Sequence, residues 1–253
     1  MQHSVNDLVG YTISAKDGKI GKVIEFYFDD LTWSIRYLVV ETGNWLSEKK
    51  VLIPHAALRI IDWKSKTFHV NLTMEQVRNS PDFESEKTVS RQHEIELFQY
   101  YAFPFYWEDG FYVQGVGMLP IIPNIEKKSI KEQDESALLL NEDPHLRSTN
   151  KVKGYYIHSS NGEIGHVEDY IVDDEKWNIC FLVVDTNNWL PDRKVLISPH
   201  WIKQIDWNES KVFINLSKAA IKNSPEFHTD QPMGKDYGKE LFIHYGEPVN
   251  YFE

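Results

Sequence analysis

The chain has 253 residues, of which 42% are hydrophobic and 26% charged, with a formal net charge of −11 and a sequence pI near 5.4. That length suffices for one large domain or two of roughly 100 residues. The acidic balance argues against direct nucleic-acid binding, whose affinity comes from Lys and Arg displacing counterions. Cys180 is the only cysteine, which excludes an internal disulfide and a CxxC site. The N-terminal "MQHSVNDLVGYTIS" lacks a signal-peptide pattern, and no stretch approaches the roughly 18 apolar residues of a membrane span. A soluble, cytoplasmic protein is expected.

In chain order, "VGYTISAKDGKIGKVIEFYFDD" reads as two strands joined by a turn at Asp17-Gly18 and ended by a turn at Asp29-Asp30. "WSIRYLVVE" alternates, with Trp33, Ile35, Tyr37 and Val39 on one face. Leu38 and Val40 make its end apolar on both faces, so something should cover it. "KVLIP" supplies a fourth strand and "IDWKSKTFHVNL" a further short pair. In "TMEQVRNSP", Thr73 and Gln76 have capping-box spacing and Pro81 stops a short helix. "EIELFQYYAF" reads as a second, amphipathic helix.

The whole pattern then recurs. Residues 10–83 align with 154–227 at a constant offset of 144, without a gap, and 31 of the 74 pairs are identical. The Asp17-Gly18 turn becomes Asn161-Gly162, Asp29-Asp30 becomes Asp173-Asp174, and "GNWLSEKKVLIP" becomes "NNWLPDRKVLIS". The second helix returns as "GKELFIHYGEP". So long a period is a duplicated domain rather than a solenoid unit. The expected fold is mainly β, with two small, partly open β-barrels, each followed by short helices. The first unit is assigned to 1–107, a linker to 108–146 and the second unit to 147–253, each unit expected to have its own core. "SALLL" in the linker either docks on a barrel or belongs to a mobile tether.

The segments "DGKIGKVIEFYFDDLTWSIRYLVVETGNWLSEKKVLIP" and "NGEIGHVEDYIVDDEKWNICFLVVDTNNWLPDRKVLIS", with the trailing "NSPDF" and "NSPEF", resemble the PRC-barrel family. That family takes its name from a barrel in the H subunit of the photosynthetic reaction centre, and another barrel of the family belongs to a ribosome maturation factor. The resemblance implies an interaction module. Two further readings follow from it: an accessory of electron transfer or of a photosynthetic membrane complex, and a ribosome or RNA-metabolism adaptor. The membrane helix of the first relative and the RNA-associated domain of the second have no match here. No catalytic residue can be carried across.

The candidate chemical groups are sparse. Asp29-Asp30 and Asp173-Asp174 read as solvated turn residues, with a weak divalent-cation site as the alternative. None of the ten histidines recurs at an equivalent position, and none has HxH or HxxxH spacing. Cys180 has no neighbouring base to stabilise a thiolate. G-x-S-x-G and phosphate-loop motifs are missing. The expectation is therefore a non-enzymatic protein without cofactor or metal, acting through an unidentified protein partner or a second copy.

Trp45 and Trp189 precede loops, where each either plugs its own barrel or presents an anchor. Trp201 stands where the first copy has Ala57, and joins them as a tentative interaction residue. Ile24, Ile60 and Met74 oppose Glu168, Gln204 and Lys218. Such asymmetry between copies predicts different partners, or a contact between the halves with pseudo-twofold geometry.

Overall fold

The computed structural model describes residues 1–43, 46, 49–81, 83, 89–106, 145–186, 189–191, 193–228 and 235–247. The linker expected at 108–146 lies outside these, apart from its last two residues, and so does "SALLL".

The first half opens with an arm of β1 (Gln2–Ser4) and α1 (Val5–Leu8). The strands β2 (Thr12–Ser14), β3 (Lys19–Asp29), β4 (Ile35–Thr42), β5 (Lys50–Pro54), β6 (Leu58–Asp62) and β7 (Thr67–Val70) follow. Two helices, α2 (Met74–Arg78) and α3 (Arg91–Tyr101), complete it. The second half repeats the order, with an arm of β8 (Leu146–Ser148) and α4 (Thr149–Val152). Its strands are β9 (Tyr156–Ser159), β10 (Gly162–Asp173), β11 (Ile179–Asp185), β12 (Lys194–Ile197), β13 (Ile202–Asp206) and β14 (Lys211–Ile214). The helices α5 (Lys218–Lys222) and α6 (Lys235–His244) end it. Among the described residues no helix is long and apolar enough to cross a membrane.

Local chemistry accounts for these elements. The Thr73–Gln76 capping box forms as expected, each side chain bonding the other's backbone N–H. Asp17 Oδ1 accepts the Met74 N–H at 2.8 Å, and Asn161 Oδ1 accepts the Lys218 N–H at 2.9 Å. Each hairpin turn is thereby tied to the start of a helix. Gly21 and Gly165 sit where a Cβ would lie 2.0 Å from the Glu41 carbonyl oxygen and 1.9 Å from that of Asp185. Both positions require glycine because two strand backbones meet there.

Each half builds a seven-stranded sheet, six strands running β5-β4-β3-β2-β7-β6 or β12-β11-β10-β9-β14-β13. Neighbours are antiparallel except for the parallel pairs β2–β7 and β9–β14. Neither path closes, so β5, β6, β12 and β13 end their sheets and the barrels are partly open. Leu38, Val40 and their neighbours Tyr37 and Val39 are all fully buried, so β4 is covered on both faces as its composition predicts. On the Tyr37 face the cover is α3, through Phe98; in the second half α6 packs Phe242 against Phe181.

Two expectations fail. Trp33 and Trp177 do not share the strand's alternation. They precede β4 and β11 in left-handed conformation, at φ 58° and 56°, where each closes a turn by donating its N–H to the Asp29 or Asp173 carbonyl. Nor does each half close its own interior. The seventh strand of each sheet comes from the other half, since β1 pairs with β10 and β8 with β3. The buried apolar side chains accordingly form one continuous cluster through both halves. Trp177, for example, packs its ring at 6.3 Å from Phe26 and 5.9 Å from Phe68 of the first half.

The exchange is reciprocal at the same offset of 144 that relates the sequences. Ser4 faces Ile171 and Ser148 faces Tyr27. At the centre Ser34 bridges Asn178, its own equivalent, flanked by Ile35 N–H to Trp177 O and Ile179 N–H to Trp33 O, both 2.7 Å. A residue paired with its own counterpart marks a pseudo-twofold axis. Of the asymmetric positions singled out above, Gln204 lines a groove between the halves, and others lie elsewhere. Ile60 is exposed, Glu168 pairs with Lys194 at 2.7 Å, and Lys218 lies 5.3 Å above the Trp189 ring.

Candidate functional site

The arms give the paired aspartates their role. Asp29 Oδ1 accepts the Leu31 and Thr32 N–H groups at 3.0 Å each, and Asp173 Oδ1 does the same for Glu175 and Lys176. The first aspartate of each pair therefore builds the turn. The second receives the exchanged arm. Asp30 accepts from Arg147 Nε at 2.7 Å and lies 3.5 Å from His145 Nδ1. Asp174 holds the N-terminal ammonium of Met1 and lies 3.2 Å from His3 Nε2. Above each junction is a tryptophan: Arg147 lies 4.0 Å over the Trp207 ring, and His3 stacks on Trp63 at 3.9 Å. Among the described residues no three His, Cys, Asp or Glu side chains converge as a metal site would require.

Beside each junction the halves enclose an open groove. One, of about 310 Å³, lies between the Asp30–Trp33 turn of the first half and Ile202, Lys203, Ile205 and Trp207 of the second. Its counterpart, of about 300 Å³, lies between the Asp174–Trp177 turn and Leu58, Arg59 and Ile61. Their linings correspond at the offset of 144: Trp33 with Trp177, Lys203 with Arg59, Ile205 with Ile61. Among the described residues the flooring strands β13 and β6 are sheet ends, bonded to β14 and β7 on one side only. Each groove thus joins a sheet-ending strand, a turn tryptophan, a basic side chain and a turn aspartate, and the first adds Trp207. The imidazole of His55 at the second groove is held neutral to lower pH than usual, because burial disfavours its charged form.

The tentative interaction residues fare differently. Trp45 lies outside the described residues. Trp189 is half-buried beneath the Lys218 ammonium. Trp201 is 3% exposed and packs against Phe242 and Tyr245, with ring centroids 5.0 and 4.7 Å away. It is a core residue at the position equivalent to the buried Ala57, and presents no surface to a partner. Cys180 is half-buried, and desolvation pushes its thiol up to about 11, away from nucleophilic use.

Sequence reading missed one buried polar cluster. Glu94 of α3 is 2% exposed, accepts from Tyr37 Oη at 3.1 Å and Tyr106 Oη at 2.7 Å, and pairs with Arg91 at 2.9 Å. Arg36 stacks 3.8 Å over the Tyr106 ring. Burial raises the Glu94 carboxyl above its usual range despite these donors. The second half has Phe181, Cys180 and Gly238 at the equivalent places, so α6 is held by apolar packing instead.

Comparison with known proteins agrees with this architecture. An uncharacterised protein of Deinococcus radiodurans is 31% identical over 97 residues, which are 36% of this chain. The match spans 35% of that protein, so about two thirds of the relative has no counterpart in it. Residues 1–77 match the PRC-barrel domain family, from the N-terminal arm to α2, and the second half repeats the same strand order. Over those residues the first half of this chain is thus similar to a PRC-barrel domain.

Proposed function

We propose that this chain is a non-enzymatic cytoplasmic scaffold that binds extended segments of protein partners in its two grooves. The observation that supports the reading is the recurrence of one arrangement at two sites: a sheet-ending strand beside a tryptophan and a cation. A partner strand laid along β13 or β6 gains main-chain hydrogen bonds from the sheet-ending edge, while neighbouring isoleucines, and the half-buried Trp33 in the first groove, select its side chains. The raised thiol of Cys180 and the scattered histidines offer no competing chemistry.

The test uses the full chain as bait in extracts of its native cell, beside the variants Arg59→Glu and Lys203→Glu, which alter one groove each. Proteins retained by the wild type and lost from one variant support groove binding. Retention of the same proteins by both variants contradicts it, as does turnover of any small molecule by the purified chain.

A further inference from the structure

Two short arms build the surface that joins the halves. Each arm is short and bounded at its far end by a glycine in left-handed conformation, Gly10 at φ 87° and Gly154 at φ 90°. Beyond Gly10 and Gly154 the chain runs into its own half's sheet, as β2 and β9. The arm's strand pairing and buried hydroxyl contacts are with the other half, while His3 and Arg147 also stack on Trp63 and Trp207 of their own halves. Ser148 donates to the buried Glu25 and Ser4 to the buried Asp169. Thr149 Oγ1 accepts the Phe26 N–H at 3.2 Å and donates to the Phe26 carbonyl at 3.1 Å. The backbone bonds Asp30 N–H to His145 O and Asp174 N–H to Met1 O complete the two seats.

We propose that a second copy of this chain is a partner for this surface: first half and second half pair between chains by the same arm exchange, giving a twofold dimer in which every barrel is complete. Three observations carry it. The seats are reciprocal about an axis on which Ser34 meets Asn178, so a half from either chain presents the same complement. Glu25 and Asp169, 7% and 8% exposed, need an arm's hydroxyl, so no half is satisfied alone. Thirty-eight residues separate 106 from 145 and can extend to roughly 120 Å, so chain length does not dictate which copy's half is reached. Pairing within a chain is favoured only by the effective concentration of the joint, on the order of millimolar. Exchange between chains needs the arms to come off their seats, so it is expected on refolding rather than on mixing folded protein.

The test traps the pairing at the axis. Ser34 and Asn178 are a non-hydrogen-bonded antiparallel pair, because the flanking bonds run from Ile35 and Ile179. Such pairs hold Cα atoms about 4.5 Å apart, within disulfide range. In a Cys180→Ser background, full chains carrying only S34C and only N178C are unfolded together, refolded from about 10 μM to about 1 mM, and oxidised. The chain carrying both substitutions is the control and should close an internal disulfide. The proposal expects a disulfide-linked heterodimer whose share rises steeply with concentration, toward about half near the millimolar effective concentration. An internally closing control with no heterodimer at any concentration overturns it. A folded control that fails to close overturns it too, because the halves then do not meet at the axis.

Discussion

Ser148 donates its hydroxyl to the carboxylate of Glu25, 123 positions earlier in the chain, and both groups are buried. The equivalent pair, Ser4 and Asp169, does the same in the opposite direction. Each serine also caps the short helix that follows it, accepting backbone N–H groups of its first turn. One hydroxyl therefore orders the arm and satisfies the acid of the other half. Replacing either serine by alanine removes a donor from a buried carboxylate and removes a cap, and should destabilise the whole chain by about 1–3 kcal/mol. Chemical denaturation measures it, and both substitutions should lower a single common transition, since one core spans both halves.

Trp33 and Trp177 occupy equivalent turns but not equivalent surroundings. Trp177 is 6% exposed between Phe26 and Phe68, whereas Trp33 is half-buried, stacked on Phe28 at 5.2 Å at the edge of a groove. Trp177→Ala should cost about 3–5 kcal/mol. Trp33→Ala should cost clearly less. Equal shifts in denaturation midpoint would contradict this difference in packing.

Gly21 and Gly165 are the positions where added volume meets backbone rather than a movable side chain. Gly21→Ala and Gly165→Ala should each destabilise by about 1–3 kcal/mol or more by forcing strands apart. Gly10→Ala meets no atom within 4 Å and carries only the strain of its positive φ, so its effect should be smaller. Thermal melting of the three variants ranks them.

Glu94 and Asp169 both have carboxyl groups raised above their usual values, with burial as the leading cause. A raised value means that the folded state binds more protons than the unfolded state in the window above about 4. Their contribution is therefore most favourable below the unfolded values and is lost as pH rises through the folded ones. Glu94→Gln keeps hydrogen-bonding capacity without the charge. It should flatten the fall in stability on going from mildly acid to neutral pH, as read from urea midpoints at a series of pH values. A slope equal to that of the wild type would contradict the assignment.

The repeated barrel was legible because its signals are local. Turn residues, strand alternation and the capping box each act over a few positions, and the ungapped offset of 144 copies them all. The arms carried a weaker signal of the same kind, since Ser4 and Asn6 recur as Ser148 and Asn150. Three residues of strand cannot announce which sheet they join, because pairing partners are a tertiary choice. Trp33 and Trp177 misled for a related reason: apolar alternation reads through a turn whose left-handed φ is set by the aspartate cap, not by the tryptophan. The grooves lie between elements more than 100 positions apart, so no motif spans them. Glu94 was hidden because a single acid on an amphipathic helix looks solvated until Tyr37 and Tyr106 are known to face it.

The reciprocal exchange of arms is tested most directly by a double-mutant cycle on Ser148 and Glu25, with Ser148→Ala, Glu25→Gln and the pair compared by urea denaturation. Residues in one buried hydrogen bond should couple by about 0.5–3 kcal/mol. Additive effects, within about 0.5 kcal/mol, would mean that the second arm does not sit on the first half's sheet.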